Sequence, residues 1–138
     1  MEGLKEMETT LPHDGVFTRL RPSSIHGIGV FAIVDIPKGT NIFNDDNSKI
    51  VWVDKHEVNN LEPVLKQLYD DFCIKLGDKY GCPDSFNNLN VAWYLNESKD
   101  DPNVKCVNNY DFYALRDIKK DEELTVDYST FNQYPHKK

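Results

Sequence analysis

The chain has 138 residues, room for one ordinary domain and little more. A 39% hydrophobic share with seven Phe, seven Tyr and two Trp suffices for a packed core and argues against disorder. The formal charge of -7 speaks against bulk nucleic-acid binding, which calls for a basic patch, and favours basic partners. Cys73, Cys82 and Cys106 form neither a CxxC pair nor a dense disulfide spacing. The N-terminus lacks the apolar stretch of a secretory signal, so the thiols read as reduced and the protein as intracellular, in cytoplasm or nucleus. For the same reason the glycosylation-like tripeptide Asn96-Glu97-Ser98 reads as a chance match. No stretch approaches the ~20 apolar residues of a membrane span, and no membrane association is expected.

Residues 1–14 are polar and mixed, and read as a loose arm. Residues 16–20 fit a first strand, and RPSSIHG at 21–27 is a polar turn ending in glycine. Residues 29–34 are apolar and β-branched, a second strand. Ile-Pro-Lys-Gly at 36–39 places Pro second and Gly fourth, as in a type I turn. A return strand at 40–43, a turn at 44–47 and a strand at 50–53 follow. Val58, Leu61, Leu65, Leu68, Phe72, Leu76 and Tyr80 then recur at steps of three or four, which predicts a long helix. Asn60 would cap it, Pro63 would lie in its first turn and Gly77 would end it. The stripe reads as a core face. A polar loop spans 81–90, an apolar patch at 91–95 ends in a strand, and a second polar loop runs to 103. Strands at 104–115 and 123–128 flank a charged turn at 117–122. No internal repeat stands out.

Three segments carry candidate chemistry. In SSIHGIGVFA, 23–32, glycines at 27 and 29 let the backbone turn tightly and approach a ligand closely. Alone this is an ordinary turn before a strand. No third glycine opens a helix after it, as a dinucleotide fingerprint requires. In WYLNESKDDPN, 93–103, Asn96 and Ser98 place amide and hydroxyl groups after an aromatic patch; by itself this is a hydrogen-bonded loop. In ALRDIKKDEELTVDY, 114–128, Leu124, Val126 and Tyr128 share a face, and Glu122-Glu123 reads as a solvated turn.

Together and in this order, the segments resemble the SET-domain protein lysine methyltransferases. HGIGVFA at 26–32 and DIPKGT at 35–40 are similar to the family's glycine-rich opening and the turn after it. YLNESKDDPN at 94–103 is similar to its late asparagine motif, and ALRDIKKDEELTVDY to its closing stretch. The resemblance covers about residues 16–130. It implies a mostly β, β-clip-like fold over 15–131, with one longer helix in a central insert at about 44–88. It also implies a knot-like C-terminal crossing and a short tail at 132–138. S-adenosylmethionine is the implied cofactor. The backbone of Gly27, Ile28 and Gly29 would meet its methionine part, Asn96 its amino-acid end and the backbone of Glu97 its adenine, with Phe131 or Tyr134 as cover. Tyr128 would be the catalytic tyrosine, orienting amine and methyl, since a usual pKa near ~10 makes it a poor base. Tyr94, Tyr110, Phe112, Tyr113 and Tyr128 would line the lysine channel, whose apolar walls lower the amine's pKa. Val126 holds the place where many members carry an aromatic that limits methyl number. The implied partner is a lysine-containing protein or basic peptide, such as a histone tail.

Four features depart from the family pattern. Glu97 replaces the usual histidine, and a buried carboxylate there would need a partner, with Lys99 or Arg116 as candidates. Lys99 replaces the cysteine that often belongs to a zinc site, and no cysteine-rich segment follows Tyr128, so no metal is expected. The channel would then be closed by the tail or by a partner chain, as in a homodimer. Asp121 replaces a glycine, with little consequence expected for a turn. These features keep a second reading open, a SET-like module that holds peptide or cofactor with weak or no turnover. A plain all-β scaffold is a third reading, which the ordered matches oppose.

Overall fold

The structure, a computed structural model, describes residues 11–44, 49–107 and 110–129. Residues 1–10 of the arm expected over 1–14, most of the turn at 44–47 and the tail at 132–138 lie outside the described residues. Strands β1 (Thr18–Pro22), β2 (Ile28–Ala32), β6 (Asn96–Glu97), β7 (Val104–Val107), β8 (Asp111–Ala114) and β9 (Glu123–Val126) form a six-stranded sheet. Its order is β1-β2-β9-β7-β8, with β6 also paired to β9. Strands β3 (Val51–Asp54), β4 (Ile74–Leu76) and β5 (Lys79–Cys82) form a second sheet, ordered β3-β5-β4, beside helices α1 (Lys55–Asn59) and α2 (Pro63–Phe72). The chain is mostly β, as expected.

β9 is the central strand, and Leu124, Thr125 and Val126 are all buried. A strand flanked on both edges and covered on both faces loses the polar alternation of a half-exposed one. Val30, Ala32, Ile36, Ile42, Leu95, Val104, Ala114 and Ile118 pack into the same core cluster. Asn103 is 2% exposed and serves β9 directly. Its Oδ1 accepts from Thr125 N–H at 2.8 Å, and its Nδ2 donates to the Glu123 carbonyl at 2.9 Å. Asn103→Ala strands a buried backbone donor and acceptor, and is expected to cost about 2–3 kcal/mol in a urea denaturation series.

The long helix is the main correction. α2 ends at Phe72, and Leu76 and Tyr80 belong to the β4–β5 hairpin. Gly77 does not end a helix: it is the first of two loop residues, with φ +60°, where a type II′ hairpin turn demands glycine. Ile74-Lys75-Leu76 alternates around that Gly-Asp turn, a period of two that the steps of four overrode. Glu62, not Asn60, is the helix N-cap, with Pro63 first inside as expected. The patch at 91–95 is a 3-10 helix (Val91–Tyr94), not a strand. A second 3-10 helix, Phe86–Asn88, breaks the loop before it. The segment 40–43 pairs with β8 only through an isolated bridge, Asn41 to Tyr113.

Residues 35–39, Asp-Ile-Pro-Lys-Gly, and 117–121, Asp-Ile-Lys-Lys-Asp, meet as a reciprocal pair. Ile36 and Ile118 exchange backbone hydrogen bonds of 2.7 and 2.8 Å. Asp117 accepts from Lys38 N–H and Asp35 from Lys120 N–H, each at 2.9 Å. Both segments end left-handed, at Gly39 (φ +87°) and Asp121 (φ +73°). This short internal echo escaped the sequence reading. Thr40 N–H donates to Pro37 O, so the first turn is shifted by one and Gly39 stands third, where left-handed backbone is required. Asp121 adopts the same conformation with a side chain, which glycine would do without strain. In exchange its carboxylate holds Arg21 at 3.0 Å, so the replacement has a structural consequence.

Candidate functional site

Three consecutive residues join the three motif segments. β6 runs parallel to β9, with Asn96 beside Thr125 and Glu97 beside Val126. This pairing sets the asparagine motif against the strand that leads into Tyr128. The Leu95 carbonyl accepts a 2.6 Å hydrogen bond from the Tyr128 hydroxyl. The Glu97 carboxylate accepts from Tyr128 N–H at 3.2 Å. Between them, Asn96 Nδ2 turns to the glycine-bearing loop, with His26 O at 3.0 Å and Ile28 O at 3.4 Å.

The loop is held from below. Ser23 Oγ accepts from Ile25 N–H at 2.9 Å and His26 N–H at 3.3 Å, and donates to the Glu123 carboxylate at 2.9 Å. Asn96 Nδ2 also reaches Glu123 Oε2 at 2.9 Å and Ser23 Oγ at 3.2 Å. Gly27 is left-handed, φ +46°, and a Cβ there would meet nothing within 4 Å. Gly29 is the opposite case: a Cβ would overlap Glu123 Oε2 and lie 3.1 Å from Asn96 Nδ2. Its lack of a side chain is what lets β2 pass so close to the carboxylate.

Tyr128 and Leu95 also line a cavity of about 320 Å³, together with Phe43, Phe72, Ala92, Trp93, Tyr110 and Phe112. Asp70, Asp71, Asp111 and Lys75 line it too. Asp70 is engaged, accepting from Tyr80 and Lys66. Asp71 accepts from the neutral Gln67 amide, and no described cation forms an ion pair with Asp111. The balance of the wall is acidic.

Tyr128 is 42% exposed as a whole, but its hydroxyl is turned inward onto Leu95. Burial first, and the Glu97 carboxylate second, push the phenol pKa up to about 12. Tyr80 is also pushed up to about 12, by its bond to Asp70 and then by burial. Both shifts favour the neutral phenol in the fold. Their stabilisation is full below the usual tyrosine pKa of about 10 and is lost as pH rises through about 12. Denaturation midpoints measured against pH should therefore hold up to about 10 and fall above it, alongside tyrosinate absorbance. Midpoints that stay level into strong alkali would contradict this.

Of the residues singled out in the sequence, Gly27, Ile28, Gly29, Asn96, Glu97 and Tyr128 fall in this connected region. Tyr110 and Phe112 line the cavity. Tyr94, Tyr113 and Val126 are not on its wall: Tyr94 packs edge-on against Phe72, and Val126 is wholly buried in the core. Phe131 and Tyr134 lie outside the described residues. Glu97 pairs with neither Lys99 nor Arg116; Arg116 instead holds Glu122 at 3.0 Å and Asp101 at 3.7 Å. Sequence reading missed Ser23 and Glu123. Glu122-Glu123 is no solvated turn, since Glu122 takes Arg116, Asn103 and Lys119 N–H while Glu123 braces the loop. Both are partly buried, and the only sequence signal was position at the head of a buried strand. Among the described residues no cluster of three His, Cys, Asp or Glu could hold a metal ion. No described helix is long and apolar enough to cross a membrane. Cys73, Cys82 and Cys106 form no disulfide among the described residues.

The SET-domain family model matches residues 27–129. A crystal structure of a candidate histone methyltransferase from Plasmodium falciparum has a similar fold, with a TM-score of 0.52 and 23% identity. The match covers 82% of this chain and 93% of that one. No curated protein sequence matches.

Proposed function

This chain belongs to the SET-domain family, and on that premise we propose that it transfers a methyl group from S-adenosylmethionine to a lysine of a basic protein substrate, of which a histone tail is one example. The observation that carries the proposal is the parallel β6–β9 pairing, which joins Asn96 and the glycine-bearing loop to Tyr128 at the cavity wall.

The residues present fit such a cofactor. Gly27 leaves its backbone bare to close approach, and Asn96 Oδ1 accepts no hydrogen bond among the described residues, so it is available to an ammonium group. Gly27, Ile28, Gly29 and Asn96 would hold the amino-acid end, and the Glu97 backbone would meet the adenine. Bound there, S-adenosylmethionine supplies a methyl already activated by its sulfonium, so the chain needs no nucleophile of its own. What remains is orientation, which can contribute several kcal/mol. Tyr128 stays a neutral phenol at working pH and acts through its hydroxyl dipole, fixed by Leu95 O. Loss of water among the aromatic rings lowers the pKa of a lysine amine whereas nearby carboxylates raise it, so the neutral amine is released where the rings, and not Asp71 or Asp111, surround the nitrogen. Asp71 and Asp111 favour a second cationic residue beside the target. Incubation with methyl-labelled S-adenosylmethionine and lysine-rich peptides tests the proposal. Label should enter peptides with basic neighbours and be abolished by Lys→Arg at the acceptor; label independent of lysine would overturn it.

Glu97 supports a second reading. A carboxylate bound to Tyr128 N–H adds negative charge beside the phenol, an arrangement compatible with a module that binds without turnover. Cofactor binding with no label transfer to any lysine peptide would favour that module.

A further inference from the structure

We infer that Glu123 is a positioning residue: its carboxylate sets the shape of the loop at 23–29 by accepting from Ser23 and Asn96 at once. The inference rests on the proposed function insofar as that loop receives the cofactor. Glu123 opens β9, and its side chain reaches back under β2 to two groups far away in sequence. Both bonds require an acceptor, Ser23 Oγ donating at 2.9 Å and Asn96 Nδ2 donating at 2.9 Å. Ser23 can then turn its lone pairs to Ile25 and His26 N–H, which folds the loop over itself. Ser23 N–H closes the turn onto Gly27 O at 2.8 Å. The Asn96 amide, steered by the same carboxylate, points its hydrogens at the loop carbonyls and leaves Oδ1 uncommitted. No described Lys, Arg or His forms an ion pair with Glu123, so neutral donors alone satisfy it. Gly29 packs against this carboxylate so closely that no side chain fits between them. Glutamate at 123 and glycine at 29 are thus two halves of one device.

Glu123→Gln tests the inference because it keeps the volume but removes the charge and leaves one oxygen, in place of two, to accept from Ser23 and Asn96, with an amide NH2 facing Ser23 Oγ. Calorimetry without peptide should show S-adenosylmethionine affinity falling about tenfold or more, while kcat at saturating cofactor falls less. Ser23→Ala should weaken binding in the same direction. The double variant should lose less than the sum of the two, as coupled groups do. A readout independent of any ligand is amide hydrogen exchange at Ile25 and His26 in the free protein. It should quicken about tenfold in Glu123→Gln while the β7–β8 hairpin keeps its protection. If Glu123→Gln fails to fold, Ser23→Ala carries both measurements. Unchanged affinity together with unchanged exchange overturns the inference. If wild-type protein does not bind the cofactor, the proposed function falls, and exchange at the two amides alone decides whether Glu123 shapes the loop.

Discussion

Replacing Tyr128 by Phe is expected to lower methyl transfer by about 10²–10³-fold, with cofactor affinity changed far less. The variant keeps the ring on the cavity wall and removes one oxygen, the donor bound to Leu95 O at 2.6 Å. That bond fixes the hydroxyl dipole at the place where Leu95 and Tyr128 meet the cavity. A preorganised dipole of this kind acts without reorganisation when the methyl moves. The raised phenol pKa separates orientation from base catalysis. An orienting phenol gives a rate that follows deprotonation of the substrate amine and shows no second acidic limb from the enzyme. A basic tyrosinate would demand a rise in rate toward about 12 that disappears in the variant. Single-turnover rates for the two proteins across pH distinguish them.

Gly29→Ala should be the most damaging small change in the loop. The added methyl would overlap the Glu123 carboxylate and press on Asn96 Nδ2 at 3.1 Å. Glu123 could swing away, but only by giving up Ser23 and Asn96. Either route is expected to cost about 1–3 kcal/mol of stability and to abolish detectable cofactor binding. Gly27→Ala is the internal control. Its methyl meets nothing, so its cost is confined to a left-handed backbone, about 1 kcal/mol. Equal losses of binding in the two variants would show that Glu123 and Asn96 are not what makes residue 29 special.

The sequence was readable where function depends on local pattern and opaque where it depends on distant pairing. The strand read at 29–34 is found as β2, Ile28–Ala32, and the tight turn read at Gly27 is found as a left-handed residue, because both are properties of adjacent residues. Asn96 and Tyr128 stood out only through the order of the motifs, and the structure adds the parallel pairing that joins them. The stripe from Val58 to Tyr80 misled because its last members satisfy a helical period while sitting on a hairpin. There the two-residue turn Gly77-Asp78 outweighed the spacing. Glu123 was illegible for another reason. An acidic pair in a charged stretch looks solvated, and nothing nearby in the chain shows that Ser23 and Asn96 lie above it. The echo between residues 35–39 and 117–121 hides in the same way, since each half is an ordinary turn until Ile36 meets Ile118.

Calorimetric titration of the folded protein with S-adenosylmethionine, wild type beside Asn96→Ala, tests the central claim most directly. The expected result is a one-site heat signal for wild type that is lost in the variant, because Asn96 holds the loop and its Oδ1 is the group proposed to meet the ligand. Wild-type protein that stays folded and gives no binding signal at about 1 mM cofactor would contradict it.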